Sequence, residues 1–335
     1  MKPRILIPIR KVFKNRFLAP AVMERLHGIG EIEVVEDPAE LPRDEYVDLY
    51  RDRDIILTTW NTPMIDRDVL EAASEVRLIS HCGGEVRPFI TPELFNLRPD
   101  ITLCNVSRVM SQPVAEYVLC VVLAQMRSLF KFREWVKEDG NWWQYEESWN
   151  TSLLHKKVGI IGLGQIAREL IKLLEPFDVE LVIFSDYMSD EEAAAQGFKQ
   201  VSMEEIFSTC DVISLHAAST PANRHKINRD LLKLIKPGAV FVNSARGMLV
   251  DEEALIDELR TGRFKAAIDI TFPEPPAEDS PFRDLPNLIL TPHIAGPTPD
   301  QQIWMMEEAV DNIEAFLGGG QIRGLIDKAR FSYMA

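Results

Sequence analysis

The chain has 335 residues, of which 46% are apolar and 27% charged, and its 52 acidic and 37 basic side chains give a formal net charge of −15. A chain of this length is expected to form about two domains. The apolar content is that of a folded globular protein and excludes disorder as the main state. The acidic balance argues against nonspecific binding to nucleic acid or to an anionic membrane surface, because both need clustered positive charge.

The sequence also indicates a compartment. The longest apolar stretch, near residues 117–126, is shorter than the roughly 20 residues that a membrane span needs, and the run at residues 5–9 is too short for a secretory signal. The cysteines lie in or beside apolar stretches and form no CxxC pair: Cys82, Cys104, Cys120 and Cys210. We expect buried, reduced thiols. The histidines show no metal-ligand spacing, so we expect no metal site. Together with the short apolar runs, the reduced thiols predict a cytoplasmic protein.

The first hundred residues alternate short apolar runs with helical patterns. The predicted strands are residues 5–9, 32–35, 55–58, 76–80 and 102–105. Amphipathic segments separate most of them, at residues 21–26, 68–73 and 91–97, and Gly28 and Gly30 mark a helix end. Alternation of strands and helices predicts a parallel sheet with helices on its faces.

The middle of the chain has a different pattern. One long helix is predicted from about residue 114 to residue 136. An aromatic stretch without a clear period follows, which we interpret as an ordered loop or arm: Trp135, Trp142, Trp143, Tyr145 and Trp149.

A second series of strands and helices starts at Lys157. The predicted strands are residues 158–161, 181–185, 212–215, 239–243, 266–270 and 288–290. Three helix starts carry capping residues: Ser202 with Glu205, Asp251 before a helix at 252–259 that Gly262 follows, and Thr298, Pro299 and Gln301 before a last helix at 300–317. The sequence therefore predicts a second parallel α/β domain.

A glycine turn follows the first strand of this second series. Gly162, Gly164 and Ala167 form a GxGxxA pattern between a predicted strand and a predicted helix. Gly162 permits a tight turn, Gly164 permits a pyrophosphate to approach the backbone, and Ala167 permits the helix to pack closely on the strand. The helix N-terminus then offers N–H groups to the phosphates.

An acidic residue follows the next strand. Asp186 lies 19 residues after Ala167, where a carboxylate accepts hydrogen bonds from the adenosine ribose hydroxyls and repels a 2′-phosphate. No Arg or Lys follows through Asp190 to bind such a phosphate. The pattern favours NAD over NADP.

Three later strands end near polar side chains. Arg246 follows the strand at 239–243, Glu274 follows the strand at 266–270, and His293 follows the strand at 288–290. Ligands of doubly wound sheets bind outside the carboxyl ends of the strands. We therefore expect the three side chains to converge beside a nicotinamide ring.

These stretches together resemble the D-isomer-specific 2-hydroxyacid dehydrogenase family. The resemblance rests on residues 158–167, 211–216, 241–247 with 249–252, 267–275 and 291–296, and covers about residues 76–320. It implies a Rossmann doubly wound parallel domain that binds NAD, at residues 107–297. It also implies a smaller flavodoxin-like α/β domain that binds substrate, formed by residues 1–106 and 298–335.

The resemblance implies that Arg246, Glu274 and His293 are catalytic. Reduction of a 2-keto acid needs a hydride at the carbonyl carbon and a proton on its oxygen. His293 would donate that proton as imidazolium and remove it in the reverse direction, and Glu274 would orient the ring and favour its charged form. Arg246 would bind the substrate carboxylate and polarise the carbonyl oxygen.

The expected binding residues extend this set. The cofactor-binding residues are Gly162, Gly164, Gln165, Ile166, Asp186, His216, Ala245, Asp269 and His293. For His216, at the end of a strand, packing remains an equal alternative to cofactor contact. The substrate carboxylate is expected at Gly83, Gly84 and Arg246, although the residues after Gly84 depart from the family pattern.

The resemblance also implies hinges, closure and a dimer. The hinges would lie near residues 105–110 and 295–298, and closure would bring Gly83 and Gly84 towards Arg246. Arg108, unusual at its position, either reads a second anionic group or pairs with an acid. The tryptophan-rich arm resembles the family's dimer contact, which predicts a homodimer.

Several alternatives remain open at this stage. A dinucleotide-sensing corepressor is a binding protein of the same superfamily that can keep the reactive residues. Formate oxidation is disfavoured, since the formate branch generally carries glutamine where Glu274 stands. The 2-hydroxy acid itself is open among glyoxylate-, hydroxypyruvate- and phosphoglycerate-like compounds and bulkier keto acids.

Overall fold

The computed structural model describes residues 2–139, 142 and 150–333. It divides into two compact units, the first formed by Met1–Met110 with Pro297–Ala335 and the second by Ser111–Gly296. The sequence predicts the chain to cross between domains after residues 106 and 297, whereas the two units change after residues 110 and 296. That the first unit binds substrate, that the second binds the cofactor and that the crossings act as hinges stay predictions.

The first unit contains a five-stranded parallel sheet. Its strands are β1 (Arg4–Ile9), β2 (Glu31–Glu36), β3 (Ile55–Thr58), β4 (Leu78–His81) and β5 (Thr102–Asn105). The helices between them are α1 (Lys11–Phe17), α2 (Pro20–Ile29), α3 (Arg43–Asp48), α4 (Arg67–Ala72) and α5 (Leu94–Leu97). The order β2-β1-β3-β4-β5 is that of flavodoxin-like sheets, as expected.

Both faces of this sheet are covered. Along β1, Ile5, Ile7 and Ile9 pack into one buried cluster, whereas Leu6 packs into another on the opposite face. A strand that is apolar on both faces is typical of a parallel sheet between two helical layers. The two layers therefore hold the carboxyl ends of the strands at a fixed edge.

The middle of the chain forms two helices where the sequence predicts one. They are α6 (Ser107–Met126) and α7 (Leu129–Asp139). Ser128 separates them with a φ of 47°, a left-handed conformation that ends the helical hydrogen bonding. The first helix begins seven residues earlier than predicted and contains Pro113, a residue type that is unfavourable within a helix.

Helix α6 also corrects two predictions, one about the length of the longest apolar segment and one about the burial of a cysteine. Among the described residues it is long and apolar enough to cross a membrane, but more than half of it is buried in the protein, so core packing accounts for its composition. Its face with Val118, Val121 and Val122 is buried and turns Cys120 outward. Cys120 is therefore exposed, contrary to expectation, whereas the other cysteines are buried: Cys82, Cys104 and Cys210.

The second unit contains a seven-stranded parallel sheet. Its strands are β6 (Lys157–Ile161), β7 (Glu180–Phe184), β8 (Lys199–Gln200), β9 (Val212–Leu215), β10 (Val240–Asn243), β11 (Lys265–Ile268) and β12 (Leu288–Leu290). The order is β12-β11-β10-β9-β6-β7-β8, so the chain reverses its direction across the sheet between β6 and β9. This is the doubly wound Rossmann arrangement, which confirms the predicted fold class. The two-residue edge strand β8 was too short to predict from pattern.

The remaining helices largely follow the predicted capping residues. They are α8 (Gln165–Leu174), α9 (Asp190–Ala195), α10 (Met203–Thr209), α11 (Arg229–Leu234), α12 (Glu252–Arg260), α13 (Pro299–Gly318) and α14 (Lys328–Tyr333). The Asp251 carboxylate accepts from the Ala254 N–H at 3.0 Å at the start of α12. Two details differ from expectation: Gly28 lies within α2, and α14 follows the helix predicted to be last.

Candidate active site

The turn after β6 has the geometry that the glycine pattern predicts. Gly162 has a φ of +91°, and a Cβ there would lie 2.7 Å from the backbone nitrogen of Ala217. Only glycine fits this turn without moving the neighbouring segment. Ala167 is fully buried against the core of the second unit, so the close helix contact expected of it is present.

The start of α8 fits a dinucleotide pyrophosphate. Gly164 is the N-cap residue, with extended backbone, and as a glycine it makes no side-chain cap hydrogen bond. A Cβ at Gly164 would meet no atom within 4 Å, so the backbone is open to a ligand there. Gln165 and Ile166 are the first two residues of the helix. These N–H groups and the positive end of the helix dipole are suited to bind phosphate oxygens.

Asp186 lies where the sequence places it but has a partner that the sequence did not reveal. It follows β7, the strand that pairs with β6 on the side opposite β9. The Lys226 ammonium donates a hydrogen bond to its Oδ2 atom. No Lys or Arg follows Asp186 through Asp190, as the sequence shows, but a lysine from a distant segment reaches this carboxylate. Lys226 is 40 residues away in sequence, beyond the reach of any local pattern.

His216 directly follows β9 and contacts a residue of that strand. Its Nε2 atom lies 2.8 Å from the Ser214 hydroxyl oxygen, and burial lowers the pKa of His216 to about 4. The imidazole is therefore neutral at physiological pH. These contacts favour the packing alternative, and its cofactor contact stays a prediction.

His293 and Glu274 form a hydrogen-bonded pair. The Nδ1 atom of His293 lies 2.9 Å from Oε1 and 3.1 Å from Oε2 of Glu274. An ionised carboxylate can only accept, so Nδ1 carries the hydrogen and Nε2 is the atom that gains or loses a proton. Both side chains keep substantial exposure, 52% for His293 and 38% for Glu274. The pair is therefore accessible to a ligand and oriented for acid–base chemistry.

Asp269 organises the segment that carries His293. Its buried carboxylate accepts from the Thr291 hydroxyl at 2.6 Å, from the Ile294 N–H at 2.8 Å and from the Ala295 N–H at 2.9 Å. The His293 N–H donates to the Asp269 carbonyl oxygen at 2.9 Å, and His293 itself has a φ of 53°. Asp269 thus fixes an otherwise unfavourable backbone conformation, and its predicted cofactor contact remains a prediction.

Arg246 lies on a short turn after β10. Asn243 bridges this turn, since its Nδ2 donates to the Arg246 carbonyl oxygen at 3.1 Å and its Oδ1 accepts from the Ala245 N–H at 3.0 Å. The Arg246 guanidinium donates to the Ala245 carbonyl oxygen at 2.7 Å. A Cβ at Gly247 would lie 2.3 Å from the Thr271 carbonyl carbon. The turn therefore packs directly on the segment that leads to Glu274.

Glu252 is a site residue that the sequence reasoning did not single out. Its Oε1 accepts from the Phe272 N–H at 2.7 Å, two residues before Glu274. Burial raises the pKa of Glu252 to about 7, although the hydrogen bond from Phe272 opposes this shift. Glu252 is the last residue of a stretch that resembles the family, and this position was the one signal in the sequence that could have pointed to it. Glu252 positions the loop that carries Glu274.

In the glycine loop of the first unit, some of the backbone polar groups are already hydrogen-bonded within the protein. The Gly83 N–H donates to the His81 carbonyl oxygen at 2.9 Å, and the Gly83 carbonyl oxygen accepts from Val106 at 3.1 Å. The Asn105 side chain donates to the Gly84 carbonyl oxygen. Within the described part of the chain, the Gly84 N–H has no such partner. Of the two predicted glycines, Gly84 is therefore the one whose N–H is available for a carboxylate.

Arg108 has the second of its two predicted roles. It forms an ion pair with Glu308, a carboxylate whose side chain is almost completely buried, and Arg323 lies 3.6 Å from the same oxygen. All three belong to the first unit. Pairing with an acid therefore accounts for this unusual arginine. Most of the tryptophan-rich arm lies outside the described residues: Trp143, Tyr145 and Trp149.

Comparisons with known proteins agree with this geometry. A family model described as D-isomer specific 2-hydroxyacid dehydrogenase, NAD binding domain, matches residues 119–295, more than half of the chain. D-3-phosphoglycerate dehydrogenase of Methanocaldococcus jannaschii is 31% identical over 278 residues, which are 83% of this chain and 52% of that protein. The chain thus spans about half the length of that relative.

Two further comparisons extend over nearly the whole chain. Glyoxylate reductase of Thermococcus litoralis is 28% identical over 324 residues, which are 95% of this chain and 97% of that protein. The solved 2-hydroxyacid dehydrogenase of Ketogulonicigenium vulgare Y25 is 25% identical, with a TM-score of 0.78 and coverage of 98% of this chain and 99% of that chain. The likeness therefore includes both units.

Proposed function

The chain belongs to the D-isomer specific 2-hydroxyacid dehydrogenase family, and from that premise we propose that it is an NAD-dependent oxidoreductase of D-2-hydroxy acids and their 2-keto acids. The observation that carries the proposal is the His293–Glu274 pair. This pair follows β12 and β11 in the unit whose β6 turn has the dinucleotide-binding form.

The residues of the second unit have complementary chemical roles. When bound, the nicotinamide supplies a hydride to the carbonyl carbon or accepts one from the alcohol. His293 donates the proton from Nε2 in the reductive direction and removes it in the oxidative direction. Glu274 holds Nδ1–H and stabilises the imidazolium. Arg246 binds the carboxylate of the acid through its planar guanidinium.

We propose NAD as the preferred cofactor. A carboxylate at Asp186 is suited to accept hydrogen bonds from the ribose hydroxyls and disfavours a 2′-phosphate. Gly164, Gln165 and Ile166 supply the phosphate-binding N–H groups at the start of α8. The presence of Lys226 beside Asp186 weakens this preference.

We propose a small 2-hydroxy or 2-keto acid as the substrate. In the first unit, the loop at Gly83 and Gly84 offers the Gly84 N–H to a carboxylate. The relatives suggest glyoxylate and 3-phosphoglycerate as first candidates, since they are named for these compounds. Hydroxypyruvate and bulkier keto acids belong to the same chemical class and need testing.

We also propose a cytoplasmic homodimer. Exposed apolar side chains on and after α7 support association of two copies, because such residues cluster at interfaces. They are Leu129, Phe130, Val136 and Trp142. Light scattering at several concentrations should give twice the mass of 38.1 kDa, and a stable monomer would refute the dimer.

A keto-acid panel tests the activity. Glyoxylate, hydroxypyruvate, 3-phosphohydroxypyruvate, pyruvate and a branched 2-keto acid are each mixed with NADH, and absorbance at the nicotinamide band is followed. We expect consumption of NADH with at least one compound and formation of the D-hydroxy acid. Binding of NADH without turnover on the whole panel would instead favour the dinucleotide-sensing corepressor, which no comparison or geometric feature supports at present.

A further inference from the structure

Lys226 occupies a defined place beside the predicted ribose site. The backbone around it is tied to the turn after β10, because the His225 N–H donates to the Met248 carbonyl oxygen and the Ile227 N–H donates to the Leu249 carbonyl oxygen, each at 2.9 Å. These bonds fix the direction from which the lysine side chain leaves the backbone. Its position therefore does not depend on a mobile surface loop.

Two contacts hold the Lys226 ammonium at the end of β7. It donates to Oδ2 of Asp186, and it lies 5.2 Å from the ring centroid of Phe184. The lysine side chain is only 21% exposed, whereas the Asp186 side chain is 39% exposed. A surface ion pair alone contributes little, but the ring contact adds a cation–π attraction and partial burial strengthens both.

The pair changes the charge that a nucleotide meets. Asp186 alone would present a negative charge to the ribose and repel a 2′-phosphate. With Lys226 bound, the pair is neutral in total, and the ammonium has three N–H donors, of which one is directed to Asp186. Lysine is an established phosphate binder through its compact charge. Oδ1 of Asp186 remains able to accept from a ribose hydroxyl.

We propose that Lys226 is a specificity-determining residue for the dinucleotide: it lets the chain bind NADP(H) as well as NAD(H) by offsetting Asp186 and contacting the 2′-phosphate. This inference rests on the proposed function, since it concerns the same cofactor site. It also makes the preference for NAD a matter of degree. Lys226 and Asp186 act in opposite directions on a single quantity, the ratio of the two affinities.

The ratio of the two affinities can be measured without catalysis, from the binding of the adenosine portions of the two cofactors. Calorimetry with 5′-AMP and 2′,5′-ADP on the full chain gives two dissociation constants, which differ by the 2′-phosphate alone. In Lys226→Met we expect the dissociation constant of 2′,5′-ADP, relative to that of 5′-AMP, to rise by about tenfold, the effect of about 1.4 kcal/mol. Asp186→Asn, which removes the negative charge, should lower the same ratio.

Two further variants separate specificity from structure. Lys226→Arg keeps the charge and should restore most of the ratio, which a loss of folding would not do. Lys233→Met removes an equal charge from the exposed face of α11 and should leave the ratio unchanged. Thermal unfolding of each variant shows that it is folded.

The outcomes distinguish this inference from the proposed function. If both nucleotides bind but Lys226→Met leaves their ratio unchanged, Lys226 has no role in specificity and the inference is refuted, whatever the keto-acid panel shows. If the ratio moves as expected while no keto acid is reduced, the inference stands and the activity is wrong. If wild-type chain binds neither nucleotide, the cofactor site and the inference are both refuted.

Discussion

The two units place a histidine at the same kind of position but in opposite environments. His81 is the last residue of β4 in the first unit, whereas His293 follows β12 in the second. His81 is buried, with Nδ1 3.0 Å from the Thr58 hydroxyl oxygen and its ring 4.4 Å from that of Phe89. His293 is half-exposed and its Nδ1 contacts the Glu274 carboxylate.

This difference shows why topology alone does not assign chemistry. Burial lowers the pKa of His81 to about 3, so its ring stays neutral and supports the glycine loop. A Cβ at Gly83 would lie 2.2 Å from its Nε2 atom, so the ring lies directly beneath that loop. His293 has a carboxylate partner and access to solvent, which are the conditions for proton transfer. Environment therefore separates a packing histidine from a reactive one.

The largest expected effect comes from removing the reactive histidine. His293→Ala should lower the rate of keto-acid reduction by about 10³-fold, because the variant lacks the Nε2 proton donor. NADH binding should be retained. Steady-state kinetics and calorimetric titration with NADH measure the two. The matched control is His155→Ala, which breaks the exposed His155–Asp178 contact of 3.1 Å in the same unit and should leave turnover unchanged. Retained turnover in His293→Ala would remove His293 from the mechanism.

A smaller effect is expected from the partner carboxylate. Glu274→Gln keeps an oxygen that accepts from Nδ1–H but removes the charge that stabilises the imidazolium, so reduction should slow by about tenfold or more near neutral pH. Reduction needs protonated His293 and should fall as pH rises, whereas oxidation should gain.

Rate–pH profiles in both directions measure this change. Asp178→Asn alters the exposed pair of the same unit and serves as the control. Wild-type profiles that run parallel in the two directions would contradict the acid–base role of the histidine.

The smallest effect concerns stability and the buried histidine. The pKa of His81 is about 3 when folded and 6.5 ordinarily, so the unfolded chain takes up a proton first as pH falls. Stability from this group is complete above pH 6.5 and decreases below it, by about 2 kcal/mol between pH 7 and pH 5. His81→Gln should reduce this pH dependence, even if the variant is less stable at pH 7.

Urea unfolding at the two pH values measures the difference. His27→Gln replaces an exposed histidine of the same unit and should leave the pH dependence as in the wild type. An unchanged pH dependence in His81→Gln would mean that folding does not lower the pKa of His81, and the contrast between the two histidines would be lost.

Local patterns predicted the regular architecture well. Of the twelve strands in the described part of the chain, eleven were predicted, since most of them are buried on both faces and form short apolar runs. The exception, β8, has only two residues. The break between α6 and α7 was missed because Ser128 carries no strong helix-ending signal, and its left-handed conformation depends on tertiary contacts that include a 2.6 Å hydrogen bond from Lys265.

The sequence by itself determined the two parallel sheets, the glycine turn at Gly162 and the chain order of Arg246, Glu274 and His293, because periodicity and turn chemistry act over a few residues. Tertiary structure alone decided which ring nitrogen of His293 faces Glu274, that Glu252 holds the segment before Glu274 and that Lys226 reaches Asp186. Hydrogen bonds and charge pairs between residues 19 to 40 positions apart exist only after the strands are aligned, and no local pattern encodes them.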